Sequence, residues 1–242
     1  MSNSKLATSH YWTKNYSSRN GAKITKIIIH HMAGNLDAKG CYNVWKYRQG
    51  SAHYCIAKNG KIGQCVDEKH RAWSVANSYW DSRAVTIECA NSTGSPSWKI
   101  SDATMKSLIK LVADIAKRNG IKKVTYTGNT KGTLLMHRWF VSTACPGPYL
   151  MKKFSYIAKE VNKLLNKKST TKKPSTSKSN TPSNKSTPSN KSTPSKGKKP
   201  NITIAKEILQ GKWGNGQDRI NKLKKAGYDP NAIQKLVNKL LA

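Results

Sequence analysis

Residues 24–31, ITKIIIHH, and residues 85–90, VTIECA, decide how this chain folds. The first is a run of β-branched apolar residues closing on two histidines, the pattern of a strand buried within a sheet. The second reads as another strand, with Glu88 inside it. Working outward, Lys39 to Gln49 reads as a helix. Ala52 to Ala57 and Lys61 to Val66 form a hairpin across Asn59-Gly60. Asp102 to Arg118 is the clearest helix, capped by Ser101 and stopped by Gly120, with Met105, Leu108, Ile109, Val112 and Ile115 as its apolar stripe. Val124 to Tyr126 reads as a short strand and Tyr149 to Leu165 as a closing helix. Strands and helices mix without a strict alternating period. The expected class is therefore α/β, a mixed central sheet flanked by helices.

Residues 166–200 change character. They are almost entirely Lys, Ser, Thr, Pro and Asn, and repeat Thr-Pro-Ser-Asn-Lys-Ser at 181–186 and 187–192. Without apolar side chains to bury, this segment is expected to stay an unfolded linker. Beyond it, helices are expected from Ile204 to Gln210, from Gln217 to Ala226, and from Pro230 onward with Asp229 as cap. The organisation expected is a domain over 1–165, the linker over 166–200, and a small three-helix bundle over 201–242.

The chain carries 44 Lys+Arg against 11 Asp+Glu, a formal net charge of +33. Such an excess points to a polyanionic partner: nucleic acid, an anionic membrane surface, or a wall carrying anionic polymers. Ten of the lysines fall in the linker and no nucleic-acid motif is present, so nucleic acid is not the expected partner. No apolar run is long enough for a transmembrane span, and the N-terminal residues lack the apolar core of a secretory signal. The expectation is synthesis in the cytoplasm, with release to a wall by other means. Cys41, Cys55, Cys65, Cys89 and Cys145 make an odd, irregularly spaced set, a poor disulfide framework. A two-residue turn at Asn59-Gly60 would set 55 opposite 64, so that Cys55 and Cys65 point to opposite faces. All but Cys145 then read as buried thiols.

Cys145 stands apart because of its neighbours. His30 ends the apolar strand, and His137 and Cys145 lie eight apart in MHRWFVSTACPGP, residues 136–148. Two imidazoles and a thiolate with one open position suit a tetrahedral catalytic zinc ion. By spacing alone the signal is weak, since a histidine at a strand end is more often structural.

Taken in order, IIIHH, SAHYCIAKNGKIGQ, KHRAW, VTIECAN and MHRWFVSTACPGP resemble the type 2 N-acetylmuramoyl-L-alanine amidase family, over residues 22–165. The family includes phage lysins, bacterial autolysins and catalytic peptidoglycan recognition proteins. The resemblance implies one zinc ion and hydrolysis of the bond between the lactyl group of N-acetylmuramic acid and L-alanine. It implies His30, His137 and Cys145 as ligands and Glu88 as the general base that then serves as acid. It also implies Thr143, two residues before the cysteine, as an oxyanion donor. Two departures stand out. Ala52 occupies a position where some relatives carry tyrosine, and AWSVAN at 72–77 replaces an AWHAG-like stretch, with Ser74 at the histidine position. His53 is expected to line the groove, and Trp73 and Trp139 either to stack on sugar or peptide or to serve as rim or core aromatics.

KWGNGQDRINKLKKAGYDP, residues 212–230, resembles the CW_7 cell-wall-binding repeat, and the likeness extends over 201–242. It implies binding to the muropeptide of peptidoglycan, with Asp218 and Arg219 as the best contacts and Trp213 and Tyr228 as weaker ones. The combined expectation is a peptidoglycan amidase of lysin type. The alternatives are an autolysin with the same chemistry and a non-catalytic peptidoglycan-binding protein; Cys145 and Glu88 together favour an enzyme.

Overall fold

The computed structural model describes residues 2–167, 199–209, 212–213 and 216–241. Most of the expected linker, 166–200, lies outside them. Eight strands are present: β1 (Ser9–His10), β2 (Tyr16–Ser18), β3 (Lys26–His31), β4 (Tyr54–Ile56), β5 (Ile62–Gln64), β6 (His70–Ala72), β7 (Ala84–Cys89) and β8 (Leu134–Met136). Six of them form one sheet in the order β1-β5-β4-β7-β3-β8, and β2 pairs with β6 separately. All neighbours in the large sheet run parallel except the β4–β5 hairpin. Parallel strands need both faces covered, and Ile27, Ile28 and Ile29 of β3 are accordingly 0% exposed. Each such side chain contributes about 1.5–3 kcal/mol by leaving water.

One face of the sheet carries α3 (Asp102–Arg118) and α5 (Phe154–Asn166), which close the main core over Ile27, Ile29, Ile56, Val85 and Ile87. The expected stripe of α3 is buried throughout, and Ser101 Oγ accepts from Thr104 N–H at 3.0 Å as its cap. The opposite face carries α1 (Ala38–Trp45), packed through Ala38 and Cys41 on Cys55 and Cys65. Gly63 permits this approach, because a Cβ there would collide with the Cβ of Ala38. A short α2 (Ser78–Arg83) leads into β7.

Four expectations change. The helix after β3 stops at Trp45 rather than Gln49. Residues 124–126 form no strand, although the Thr125 carbonyl accepts from Thr133 and Leu134 N–H beside β8. The closing helix is divided into α4 (Gly147–Met151) and α5. The hairpin pairs Cys55 with Gly63 rather than with 64. Its loop has three residues, 58–60, because Ala57 N–H bonds the Lys61 carbonyl and Gly60 takes a left-handed φ of 83°. That one-residue change brings Cys55 and Cys65 into the same apolar cluster instead of setting them on opposite faces. All five cysteines are free and buried.

After residue 199 the chain forms α6 (Asn201–Leu209), α7 (Gly216–Lys225) and α8 (Pro230–Leu241). Ile204, Ile208, Leu209, Leu223, Ile233 and Val237 make their core, and Leu36 and Val44, which flank and belong to α1, pack against it. No described helix is long and apolar enough to cross a membrane.

Candidate metal centre and cleft

The register of the sheet builds the site. His30 and Glu88 are direct partners across β3 and β7, and Ile29 pairs with Met136, so His137 leaves β8 level with His30. These positions lie at the C-terminal ends of parallel strands, where open α/β sheets form their ligand crevices. His137 begins a 3-10 turn, His137–Trp139. The next loop returns Cys145 to the same place, with Arg138 N–H bonding the Cys145 carbonyl at 3.1 Å. Gly147 makes that return possible. Its φ is 83°, and a Cβ would press on the His31 ring and on Trp98.

His30 Nδ1 lies 3.1 Å from His137 Nδ1 and 3.6 Å from Cys145 Sγ. The three ligand atoms all fall within 4.8 Å of one another, a spacing a single metal ion can bridge. Glu88 Oε1 stands 4.0 Å from His30 Nδ1. His30 Nε2, His31 Nδ1 and Glu88 Oε2 are buried without a hydrogen-bond partner, which is costly for polar groups with nothing to bind.

Burial holds His30 well below the ordinary imidazole range, with the charges of His137 and His31 adding to the effect. Burial, helped by Arg48, brings His137 down to about 4. Both rings are therefore neutral, the form that coordinates metals. Burial and Glu88 push the Cys145 thiol well up, so without a cation it keeps its proton. Glu88 itself is pushed up to about 7 by burial, against the opposing field of Arg48. Its side chain is 21% exposed, but Oε2 is among the fully buried atoms. The donor set of two neutral imidazoles and one thiol, placed beside a carboxyl that binds none of them, fits one zinc ion with an open position.

A cavity of about 530 Å³ opens over this centre, lined in part by Glu88, His137, Thr143 and Cys145. The Thr143 hydroxyl oxygen accepts from Cys145 N–H at 3.2 Å, leaving its own hydrogen to turn elsewhere. Trp45 at the end of α1, Arg48 just beyond it, and Ser95 and Trp98 from the loop after β7 also line the cavity. Sequence reasoning missed all four, because nothing in their local spacing marks a residue that tertiary packing brings to a cleft.

Three residues expected at the groove are placed elsewhere. His53 is 0% exposed. Its Nδ1 accepts from Thr86 N–H at 3.1 Å, and its Nε2 lies 2.8 Å from the buried Arg19 guanidinium and 3.0 Å from the His70 carbonyl. Its surroundings use every polar atom it has. Trp73 donates from Nε1 to Ser17 Oγ at 2.8 Å, outside the cavity lining. Trp139 stacks on Tyr126 against the main core.

In the bundle, Trp213 donates to Glu207 Oε2 at 2.8 Å and meets the Tyr228 ring edge-on, so the packing of the bundle accounts for both rings. Arg219 lines the cavity. Asp218 lies in α7, with its side chain outside the described residues.

Comparison with known proteins finds matches to both parts of the chain. The CW_7 repeat model matches residues 203–241. Over 42 residues the chain is 58% identical to the lysozyme of Streptococcus phage Cp-7, a stretch amounting to 17% of this chain and 12% of that protein. The chain thus spans a small part of that relative's length. The fold is similar to a selenomethionine derivative of AmpD, with a TM-score of 0.51 at 15% identity, over 64% of this chain and 96% of that one. It is also similar to the Staphylococcus aureus hydrolase AmiA in complex with its ligand, again with a TM-score of 0.51, at 19% identity over 64% of this chain and 80% of that one. The N-acetylmuramoyl-L-alanine amidase model matches residues 20–148, more than half of the 242-residue chain, and the chain belongs to that family.

Proposed function

We propose that this protein is a zinc-dependent peptidoglycan hydrolase of endolysin type that cuts the amide between N-acetylmuramic acid and L-alanine. The observation that carries the reading is the convergence of His30 Nδ1, His137 Nδ1 and Cys145 Sγ within 4.8 Å, beside Glu88. These three residues would hold the metal. Zinc held there would supply Lewis-acid polarisation of the scissile carbonyl and would acidify water.

The chain's own groups do the rest. The Glu88 carboxylate takes a proton from the attacking water as the oxygen adds to the carbonyl carbon. It then passes that proton to the alanine nitrogen as the carbon–nitrogen bond breaks. A carboxyl near pH 7 suits both duties, because it gains and loses the proton with little penalty. The Thr143 hydroxyl, held by the Cys145 backbone, donates to the developing oxyanion.

Residues 1–165 would form the catalytic part, 166–200 the tether, and 201–242 a module that holds peptidoglycan through Arg219 and Asp218. The positive charge adds attraction to anionic wall polymers. The match to a phage lysozyme supports a lysin that waits in the host cytoplasm and reaches the wall at lysis. Purified walls treated with the zinc-loaded chain should release N-terminal alanine amines and no reducing sugars. Release of reducing sugars without new amines would mark a glycosidase and overturn the assignment.

A further inference from the structure

Arg48 sits just beyond α1, in a loop the sequence does not order by itself. The loop is fastened instead by one side chain. Asn15 Nδ2 donates to the carbonyls of Trp45, Arg48 and Gly50 at 3.0, 3.2 and 3.0 Å. The Ser51 hydroxyl then returns a bond to the Asn15 carbonyl at 2.6 Å. The backbone that carries Arg48 is thus pinned, although the side chain is exposed. Its guanidinium makes no ion pair among the described residues. Nevertheless it lines the cavity with Glu88, His137 and Thr143, and its field is felt at both Glu88 and His137.

An unpaired, pre-positioned guanidinium at the edge of a reaction centre matches a planar carboxylate in geometry and charge. Glu88 is not its partner, since Glu88 Oε2 has no hydrogen bond and no ion pair joins the two side chains among the described residues. The glycan side of the substrate offers no carboxylate either, because the lactyl carboxyl is tied up in the scissile amide. The acidic groups within reach belong to the peptide beyond L-alanine. We infer that Arg48 binds a carboxylate of the stem peptide one residue past L-alanine and so sets the preference of the enzyme for acidic over amidated stems. This inference rests on the amidase reading above.

Two soluble muropeptides test it with the full zinc-loaded chain: N-acetylmuramoyl-L-alanyl-D-glutamine, whose γ-carboxyl is capped as an amide and whose α-carboxylate is free (the acid), and the same compound with both carboxyls amidated (the amide). The wild type should show a KM for the acid about tenfold below that for the amide, the size of one charge-assisted hydrogen bond. Arg48→Gln should remove that difference by raising the KM of the acid alone, with kcat and zinc content held, and Arg48→Lys should restore part of it. Equal KM values for the two substrates in the wild type would overturn the inference, as would an equal loss on both in Arg48→Gln. So would a fall in kcat with a shifted acid limb and unchanged KM, which would mean that Arg48 acts through Glu88. If Arg48→Gln instead weakens only inhibition by free N-acetylmuramic acid, the carboxylate it binds is that of the product and the stem assignment is wrong. A wild-type chain that cleaves neither compound brings down the amidase reading itself, whereas cleavage without the acid preference brings down this inference alone.

Discussion

Thr86 and Glu88 lie two residues apart on β7, on the same face of the sheet, and each faces a buried histidine, yet the two neighbourhoods differ in one physical respect. At Thr86 every group is matched. His53 is bonded through both ring nitrogens, and the Arg19 it touches also reaches the carbonyls of Glu68, Ser82 and Ala84 at 2.7, 2.5 and 2.9 Å. At Glu88 the opposite holds, with His30, His31 and Glu88 each leaving a buried polar atom unmatched. A complete buried network locks a fold in place, and an incomplete one is a demand for something else to bind. Both neighbourhoods hold histidine neutral by burial, so a displaced pKa alone does not tell them apart.

The sharpest way to break this contrast is to remove a donor from each side. Cys145→Ser should take metal and activity to background together, while the folded chain survives. Elemental analysis showing one zinc per chain in that variant would contradict the ligand assignment. Glu88→Gln should keep the metal and lose about 10²–10⁴-fold in turnover, because an amide cannot accept the proton. On the satisfied side, Arg19→Met should cost about 3–5 kcal/mol of stability by uncoupling a buried charge network, with normal zinc stoichiometry in whatever remains folded. Denaturant titration alongside metal analysis checks both halves, and loss of metal without loss of stability would reverse the roles given to the two neighbourhoods.

A smaller effect concerns acid. In chelated protein His31 and His137 sit at about 4, against 6.5 in the unfolded chain. Lowered folded values mean that the unfolded chain binds protons first, so the stability present above pH 6.5 is lost as pH falls toward 4. Glu88 works the other way. Raised to about 7 from 4.5, it stabilises the fold as pH drops through that window. Glu88→Gln should therefore make the chelated protein lose Tm more steeply on acidification than the wild type, as a pH series of thermal melts would show. Parallel curves would mean that the carboxyl is not held protonated.

Much of this contrast is legible in the chain, and the reason is local. IIIHH and VTIECA carry their strand assignment in their own composition, and the parallel pairing of two such strands sets His30 beside Glu88. The C-terminal helices follow their Gly and Pro signals to within a few residues. What stayed hidden depends on contacts distant in sequence. The burial of His53 is decided by Arg19, 34 residues earlier, and the cleft positions of Trp45 and Trp98 are decided by how a helix and a loop settle on the sheet. Which way the rings of Trp73 and Trp139 turn is likewise unmarked in the motifs around them, since tertiary packing decides it.

The three-residue loop at 58–60 acts as a parity setting for the wall of the cleft. Because side chains alternate along a strand, deleting one residue from that surface loop would exchange the two faces of β5. Gly63 would turn away from α1, and Ile62 or Gln64 would take its place beneath Ala38, where a Cβ alone already collides. The helix would have to lift, and Trp45 and the Arg48 loop would move with it. A length change at an exposed turn, usually the most forgiving edit a protein can receive, would here be read out at the far end of a helix as a change in which substrates fit.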